Sequence, residues 1–259
     1  MHKDDYYISF AFKRIAYAKW GLKEWKRRVP AYVRNYLFFI PGIDDKELLS
    51  NMFEITKNSI KIGGSVSSFI DESLIMLDDY LKKKDSECAK ILYDIERLRS
   101  IYLTNWELDD GHRLFVEAFT PYQLRAYPAW EFHRQAGAIN NKRKIHIDNE
   151  KVVKLKTDLS FWLSMNDEKF GGFGNPFGPF GFNSWMRQLS VNRDKAIELG
   201  LIEPKQKIDI TAAEREQWCL PLLSRDDLND AGRLQVQAEL KRWHVWNVRK
   251  KILERQMNV

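Results

Sequence analysis

The chain has 259 residues, of which 44% are hydrophobic and 13% aromatic, and it carries 42 Lys and Arg against 36 Asp and Glu. This composition excludes a disordered chain and leaves room for one large domain or two small ones. Two cysteines, Cys88 and Cys219, are too few for a disulfide framework or a four-cysteine zinc site. Without a signal-peptide pattern or about 20 consecutive apolar residues, the chain is expected to be soluble, intracellular and without a membrane span.

Residues 1–40 form a predicted N-terminal arm that is both aromatic and basic, with nine Lys and Arg against three Asp and Glu. Rings and cations together suit nucleic acid, where they stack on bases and meet phosphates, but Trp and Arg also anchor protein interfaces. We favour the protein anchor, because the arm has more aromatic residues than phosphate contact needs. The candidate anchors are Trp20, Trp25 and Arg34. The candidate nucleic-acid contacts are Lys13, Arg14, Lys26, Arg27 and Arg28, with Lys250 and Lys251 near the C-terminus.

The spacing of apolar residues over 41–137 predicts a helical domain. Apolar residues recur at helical intervals over 45–62, and Asp44 with Glu47 has the spacing of a capping box at the start of this helix. A second helical pattern follows Gly64, and a long one covers 91–102. Beyond it, Gly111 and two prolines predict that the chain is cut into shorter pieces.

Residues 138–204 have a different character and predict a small α+β module. Apolar and polar residues alternate around Ile145 and Ile147 and again from Val153 to Leu155, which predicts short strands. The helical tail predicted for 205–259 ends in a basic stretch, with six Lys and Arg against one acidic residue from Lys241 onward. The expected fold class is therefore α+β, with a helical N-terminal part, a small β-containing module and a helical C-terminal tail.

An aromatic loop, defined as Phe170–Trp185 with the sequence FGGFGNPFGPFGFNSW, lies inside this module. Its density of Gly and Pro excludes a helix or a central strand. Burying each Phe ring stabilises by roughly 1.5–3 kcal/mol, so we expect an ordered loop whose rings pack on a scaffold or a partner, not a flexible linker. The candidate partner-binding rings are Phe173, Phe177, Phe180, Phe182 and Trp185.

One candidate for chemistry is the run from His146 to Glu150. If this run were a strand, His146, Asp148 and Glu150 would share a face and could form a metal or acid–base site. A structural histidine in a turn region is the competing interpretation, since one strand supplies too few ligands. The glycines follow neither a phosphate-binding nor a nucleophile-elbow pattern, so we expect no phosphate-binding loop and no cofactor.

Several short motifs, in the right order, resemble the Mu F-like minor head proteins of tailed phages, the head morphogenesis family. FFIPGIDDKELLSNMFEITKNSIKIGGSVSSF (Phe38–Phe69) is similar to that family's helical entry, and IERLRSIYLTN (Ile95–Asn105) to its Arg-containing helix that ends in Tyr-x-Thr-Asn. The segment from Pro128 through KRKIHID resembles the family's Arg and His segment. LKTDLSFW (Leu155–Trp162) and PFGFNSWM (Pro179–Met186) resemble the parts that follow it.

The chain departs from the family where members often carry cysteines, because Ser184 and Met186 stand there. A zinc or disulfide brace is therefore not implied, and packing of the loop rings would have to replace it. The resemblance implies a non-catalytic structural protein of the virion head, present in several copies and assembled in the host cytoplasm. It also implies a portal or major capsid partner and possible contact with double-stranded DNA. The alternatives are a metal-dependent nuclease or toxin-like hydrolase using His146, Asp148 and Glu150, and a host-encoded nucleic-acid-binding module.

Overall fold

The computed structural model describes residues 13–17, 19–29, 34, 37–135, 143–167, 172–181 and 184–211. The fold is α+β, which confirms the predicted class, with mostly helices and a small three-stranded antiparallel sheet. The chain divides into two compact units, unit 1 (residues 1–113) and unit 2 (residues 114–259). None of the helices in these described ranges is long and apolar enough to cross a membrane. The predicted helical tail lies outside the described residues, except for 205–211, which are not helical.

Unit 1 is built from helices and one pair of very short parallel strands. Its elements in chain order are β1 (Arg14–Ile15), α1 (Leu22–Arg28), β2 (Leu37–Phe38), α2 (Lys46–Ile62), α3 (Val66–Lys83), α4 (Glu87–Leu92) and the first part of α5 (Ile95–Ala118). Arg14 pairs with Leu37 across β1 and β2, and the Ala16 N–H donates to the Phe38 carbonyl at 2.9 Å. The predicted N-terminal arm is therefore folded into unit 1 over its described residues.

The start of α2 shows how the sequence fixes a helix end. Asp45, not the predicted Asp44, is the N-cap, and its carboxylate accepts the Leu48 N–H at 3.1 Å. The same carboxylate accepts the Tyr80 hydroxyl at 2.7 Å and the Lys84 ammonium at 2.8 Å. Partial burial acts to raise the pKa of Asp45, but these hydrogen bonds outweigh it and lower the pKa to about 2. One side chain therefore caps α2 and ties it to the end of α3.

Helix α5 corrects the prediction that Gly111 interrupts the chain. The helix is continuous from Ile95 to Ala118 and contains the boundary between the two units. A glycine inside a helix costs about 1 kcal/mol. Leu108 and Phe115, which lie on either side of Gly111 in the sequence, are both buried, and burial of such side chains outweighs that cost.

Unit 2 contains the sheet and the aromatic loop. Its elements after α5 are α6 (Pro121–Ala126), β3 (Ala129–Arg134), α7 (Lys144–Asn149), β4 (Val153–Leu155), α8 (Leu159–Ser164), β5 (Met186–Val191) and α9 (Arg193–Glu198). The strand order is β4-β3-β5, and both pairings are antiparallel. The central strand, β3, precedes Gly137, so the β-containing unit begins earlier in the chain than the sequence suggested.

The two predicted strands of this region have different outcomes. The strand at Val153–Leu155 is confirmed as β4, which pairs with β3. The strand expected at Ile145 and Ile147 is wrong, because these residues lie in α7. Alternation over only a few residues does not separate a strand from one helical turn, and here burial of His146 on the inner side of the turn decides the outcome.

Candidate functional site

The aromatic loop is ordered over its described residues, Gly172–Gly181 and Ser184–Trp185, and two amide side chains hold its course. Asn166, just after α8, donates to the Asn175 carbonyl at 2.7 Å and accepts the Gly174 N–H at 2.9 Å. Its amide therefore pairs with the loop backbone much as a peptide group would.

Gln188 on β5 makes the second such pair. Its amide donates to the Pro176 carbonyl at 2.7 Å and accepts the Gly178 N–H at 3.0 Å. Gly178 lies so close to the strand that an added Cβ would be 2.4 Å from the Met186 carbonyl oxygen. The middle of the loop is therefore docked against β5, and only glycine fits at this point.

The rings of Phe173 and Phe180 are buried within unit 2, which corrects the prediction that these two rings bind a partner. Phe173 and Phe180 are 1% and 0% exposed, and Phe180 contacts Phe132 edge-on, with the ring centroids 5.3 Å apart. Phe177 is partly buried, with its ring centroid 5.2 Å from that of Phe115. Trp185 is also partly buried, while Phe182 lies outside the described residues.

Ser184 lies at the end of the aromatic loop, two residues before β5. Its side chain is fully buried, and its Oγ accepts the N–H of Phe180 at 3.2 Å and the N–H of Met186 at 3.3 Å. These bonds close the end of the loop onto the start of β5. The two hydrogen bonds that Ser184 accepts therefore add to the packing of the buried loop rings.

His146 lies at the centre of the same core. Its ring is fully buried and edge-on to Phe132, with the centroids 5.5 Å apart, and its Nε2 is 3.0 Å from the Met165 carbonyl oxygen. Burial lowers the pKa of His146 to about 4, against the raising effect of this carbonyl. The ring is therefore neutral at pH 7, with Nε2–H as the donor. It packs and donates a hydrogen bond as a structural histidine.

The three residues of the predicted metal or acid–base site are not brought together. His146 is buried, whereas Asp148, two residues further along α7, pairs with Lys144 at 2.6 Å near the surface. Glu150 pairs with Arg134 at 2.9 Å. Residues two apart on a helix lie on different faces. Within the described ranges, no group of three His, Cys, Asp or Glu could hold a metal ion.

The predicted anchors of the N-terminal arm have contacts within unit 1. Trp25 is 1% exposed and stacks on Phe39, with the centroids 4.0 Å apart. Arg34 is buried and donates to the carbonyls of Val29 and Lys26 at 2.9 and 2.6 Å. The prediction that Trp25 and Arg34 anchor a partner is therefore wrong for the folded unit. Trp20 is partly buried, with its centroid 6.2 Å from that of Trp25.

The predicted nucleic-acid contacts differ in how exposed their side chains are. Lys13 is 1% exposed, and burial lowers its pKa to about 7 although the nearby Asp109 carboxylate raises it, so Lys13 is not a phosphate contact. Arg27 is a surface residue, whose side chain is 74% exposed and 3.9 Å from Glu24, and Lys26 is partly buried. The side chains of Arg14 and Arg28 and all of Lys250 and Lys251 lie outside the described residues.

Three structurally important residues were not predicted. Asn166 has a recognisable signal, since Asn next to a Gly-rich segment commonly bonds a loop backbone. Gln188 has none. Lys156 follows β4 in a Lys-Leu-Lys pattern that predicts a solvent-facing side chain, yet it is fully buried with its Nζ 5.5 Å from the centroid of the Trp130 ring. Burial lowers the pKa of Lys156 to about 8.

The comparisons with known proteins give no match: no family model fits the chain, and no curated protein or solved structure is significantly similar to it.

Proposed function

We propose that this protein is a minor structural component of a tailed-phage head and that it acts by binding. The proposal starts from the ordered motifs that resemble the Mu F-like minor head proteins. The observation that supports it best is how the motif residues of unit 2 are used. The Trp162 indole N–H donates to the Leu155 carbonyl at 2.9 Å, and its ring meets Trp130 edge-on with the centroids 5.5 Å apart. His146 and Ser184 hold the same core together.

This use of the motif favours a structural role over catalysis. A catalytic motif directs polar side chains towards a space that substrate can enter. Here His146 Nε2 and Ser184 Oγ bond backbone groups of the unit itself, and His146 Nδ1 is buried without a hydrogen-bond partner among the described residues. The rival nuclease or hydrolase would need His146 beside Asp148 and Glu150, and their separate ion pairs and burial count against it.

The proposed partners are the portal protein or the major capsid protein, with several copies per head and possible contact with packaged DNA. The proposed location is the virion head, after assembly in the host cytoplasm. Since Trp25 and Arg34 are internal, a protein contact made by the N-terminal part would use other residues. Any DNA contact there would use exposed cations such as Lys23 and Arg27 on α1.

The test is co-expression of the chain with the portal and major capsid proteins of the same genome. Heads purified on a gradient should contain the chain in a fixed ratio to portal. Failure to enter heads, together with no binding to isolated portal, would refute the proposal.

DNA binding is tested separately with a charge-reversal pair. Lys23→Glu with Arg27→Glu should weaken DNA retention and reduce its salt dependence, because fewer counterions are released. Lys82→Glu with Lys83→Glu is the matched control, with the same charge change at the end of α3. Equal losses from both pairs would mean that only net charge matters and that α1 is not a DNA contact.

A further inference from the structure

The outer face of α3 carries an exposed apolar residue surrounded by carboxylates. Ile75 is 65% exposed in the middle of α3. Asp71, Glu72, Asp78 and Asp79 lie three or four residues before and after it, so all four are its neighbours on the helix surface. All four are themselves exposed.

This acidic surface has no basic residue of its own helix within it. The sequence contains no Lys or Arg between Lys61 and Lys82, although the chain as a whole has a net charge of +6. Lys82 pairs with Asp79 at 3.0 Å at the edge of the surface. In the described part of the chain, Asp71 and Glu72 have no ion pair.

The apolar area continues from α3 to the turn between α4 and α5. Tyr93 is 46% exposed, and the nearby Asp78 carboxylate raises the pKa of Tyr93. This proximity places Tyr93 beside the face that carries Ile75. Ile91 and Ile95, on either side of Tyr93 in the sequence, are 46% and 52% exposed. Apolar side chains grouped within a charged rim mark an interaction surface. We call Ile75, its four carboxylates and Tyr93 the α3 surface.

We propose that the α3 surface binds the basic C-terminal segment, residues 241–259, of a second copy of this chain. That segment has six Lys and Arg and only one acidic residue, and it contains Trp243, Trp246 and Ile252. Its cations match the four carboxylates, and its large apolar side chains match Ile75 and Tyr93. The inference does not depend on the proposed role in a phage head, because it uses only the charges and apolar groups of this chain.

Binding is measured first with a labelled synthetic peptide of residues 241–259 and the full-length protein, by fluorescence anisotropy. Ile75→Glu should raise the Kd roughly tenfold or more, because an apolar contact is lost while the attraction for cations is kept or increased. Asp71→Asn with Glu72→Gln should also weaken binding, and 0.5 M salt should weaken the wild type further, because salt screens exposed charges.

The matched control is Ile62→Glu, since Ile62 is 77% exposed at the end of α2 and lies beside Lys61. It should leave the Kd unchanged. An equal loss from Ile62→Glu and Ile75→Glu, or a Kd that neither Ile75→Glu nor the charge variant changes, would overturn the proposal.

Carbodiimide cross-linking of mixed light and ¹⁵N-labelled full-length protein identifies the occupant. Mixed-isotope links between Lys250 or Lys251 and Asp71 or Glu72 are the expected product, and they should disappear at high salt. Links only within one copy would show that the segment binds its own chain, and links from lysines outside residues 241–259 would show a different occupant. Either result would refute binding by a second copy.

Discussion

Phe180→Ala tests whether the aromatic loop is part of the core of unit 2. The Phe180 ring is fully buried and packs edge-on against Phe132, with His146 on another side at a centroid distance of 6.4 Å. Truncating a fully buried Phe costs about 3–5 kcal/mol, because the transfer free energy is lost and a cavity remains. The aromatic pair contributes about 0.5–1.5 kcal/mol beyond the buried area, which places the expected loss in the upper part of that range.

The assay must report on unit 2 separately, since the chain has two compact units. Hydrogen exchange read by mass spectrometry along a urea series gives the free energy of unfolding for β3 and, as an internal reference, for α2 in unit 1. Phe180→Ala should lower the value for β3 and leave that for α2 unchanged. Tyr122→Ala is the control, because Tyr122 is 72% exposed in the same unit. An unchanged β3 would refute the inference that the loop is core, and would return it to the role of a docking surface or linker.

Gly178→Ala should destabilise unit 2 by about 1–3 kcal/mol in the same assay, because the added Cβ would collide with the Met186 carbonyl oxygen. Gly21→Ala is the control and should have little effect, because nothing in the described part of the chain lies within 4 Å of its added Cβ. Equal effects of the two substitutions would contradict docking of the loop on β5. Because the folded-state pKa of His146 is about 4 and the unfolded value about 6.5, the unfolded chain binds the extra proton between these values. The free energy of unfolding of unit 2 should therefore fall by up to about 3 kcal/mol as the pH falls from about 6.5 to 4. His146→Gln should flatten this part of the plot of unfolding free energy against pH. If the plot is unchanged by the substitution, His146 is charged or exposed in the folded protein. Lys156→Met should raise the free energy of unfolding at pH 7 by about 1–3 kcal/mol, because it removes a buried ammonium. This gain should shrink as the pH rises from about 8 to 10.5, because the buried amine of the wild type then loses its proton. Destabilisation at pH 7 would show that the contact between the Lys156 ammonium and the Trp130 ring outweighs the cost of burying the charge.

Helix positions in unit 1 were largely predictable because their signals are local. Spacing of apolar residues located α2, and the capping signal missed its start by one residue, since Asp44 and Asp45 are adjacent and only one can bond the Leu48 N–H. Sequence does not show that Asp45 also receives Tyr80 and Lys84 from α3, and these long-range contacts favour Asp45. The failure at Gly111 has the same origin, since tertiary burial outweighs a local preference.

The aromatic loop was predicted to be ordered, and its described residues are, but the sequence did not predict which way its rings point. Composition shows that the Phe rings need an apolar environment without showing whether a core or a partner supplies it. The answer depends on Asn166 and Gln188, which pair with the loop backbone and turn it onto β5. A Gln on an edge strand has no sequence signal for such a contact, so the inward packing of Phe180 could only be found in the structure.

In the N-terminal part, the number of basic residues does not show which of them are exposed to a partner. Nine basic residues among the first 40 suggested contact with a polyanion or a partner. Lys13 and Arg34 are nevertheless buried in unit 1, where the Arg34 guanidinium bonds two backbone carbonyls. A guanidinium can satisfy several carbonyls at a loop as well as it can bind phosphate, and sequence does not distinguish the two. Arg27 remains on the surface, and the charge that is available for a partner is smaller than the count suggests.

The end of the aromatic loop is closed by Ser184, a side chain that needs neither a metal nor an oxidant to do so. A metal or disulfide brace would make folding of unit 2 depend on ligand or redox state. Ser184 instead accepts the backbone N–H groups of Phe180 and Met186, so hydrogen bonds close the end of the loop. Together with the burial of Phe173 and Phe180, this arrangement lets the loop be held in place by groups of the chain itself.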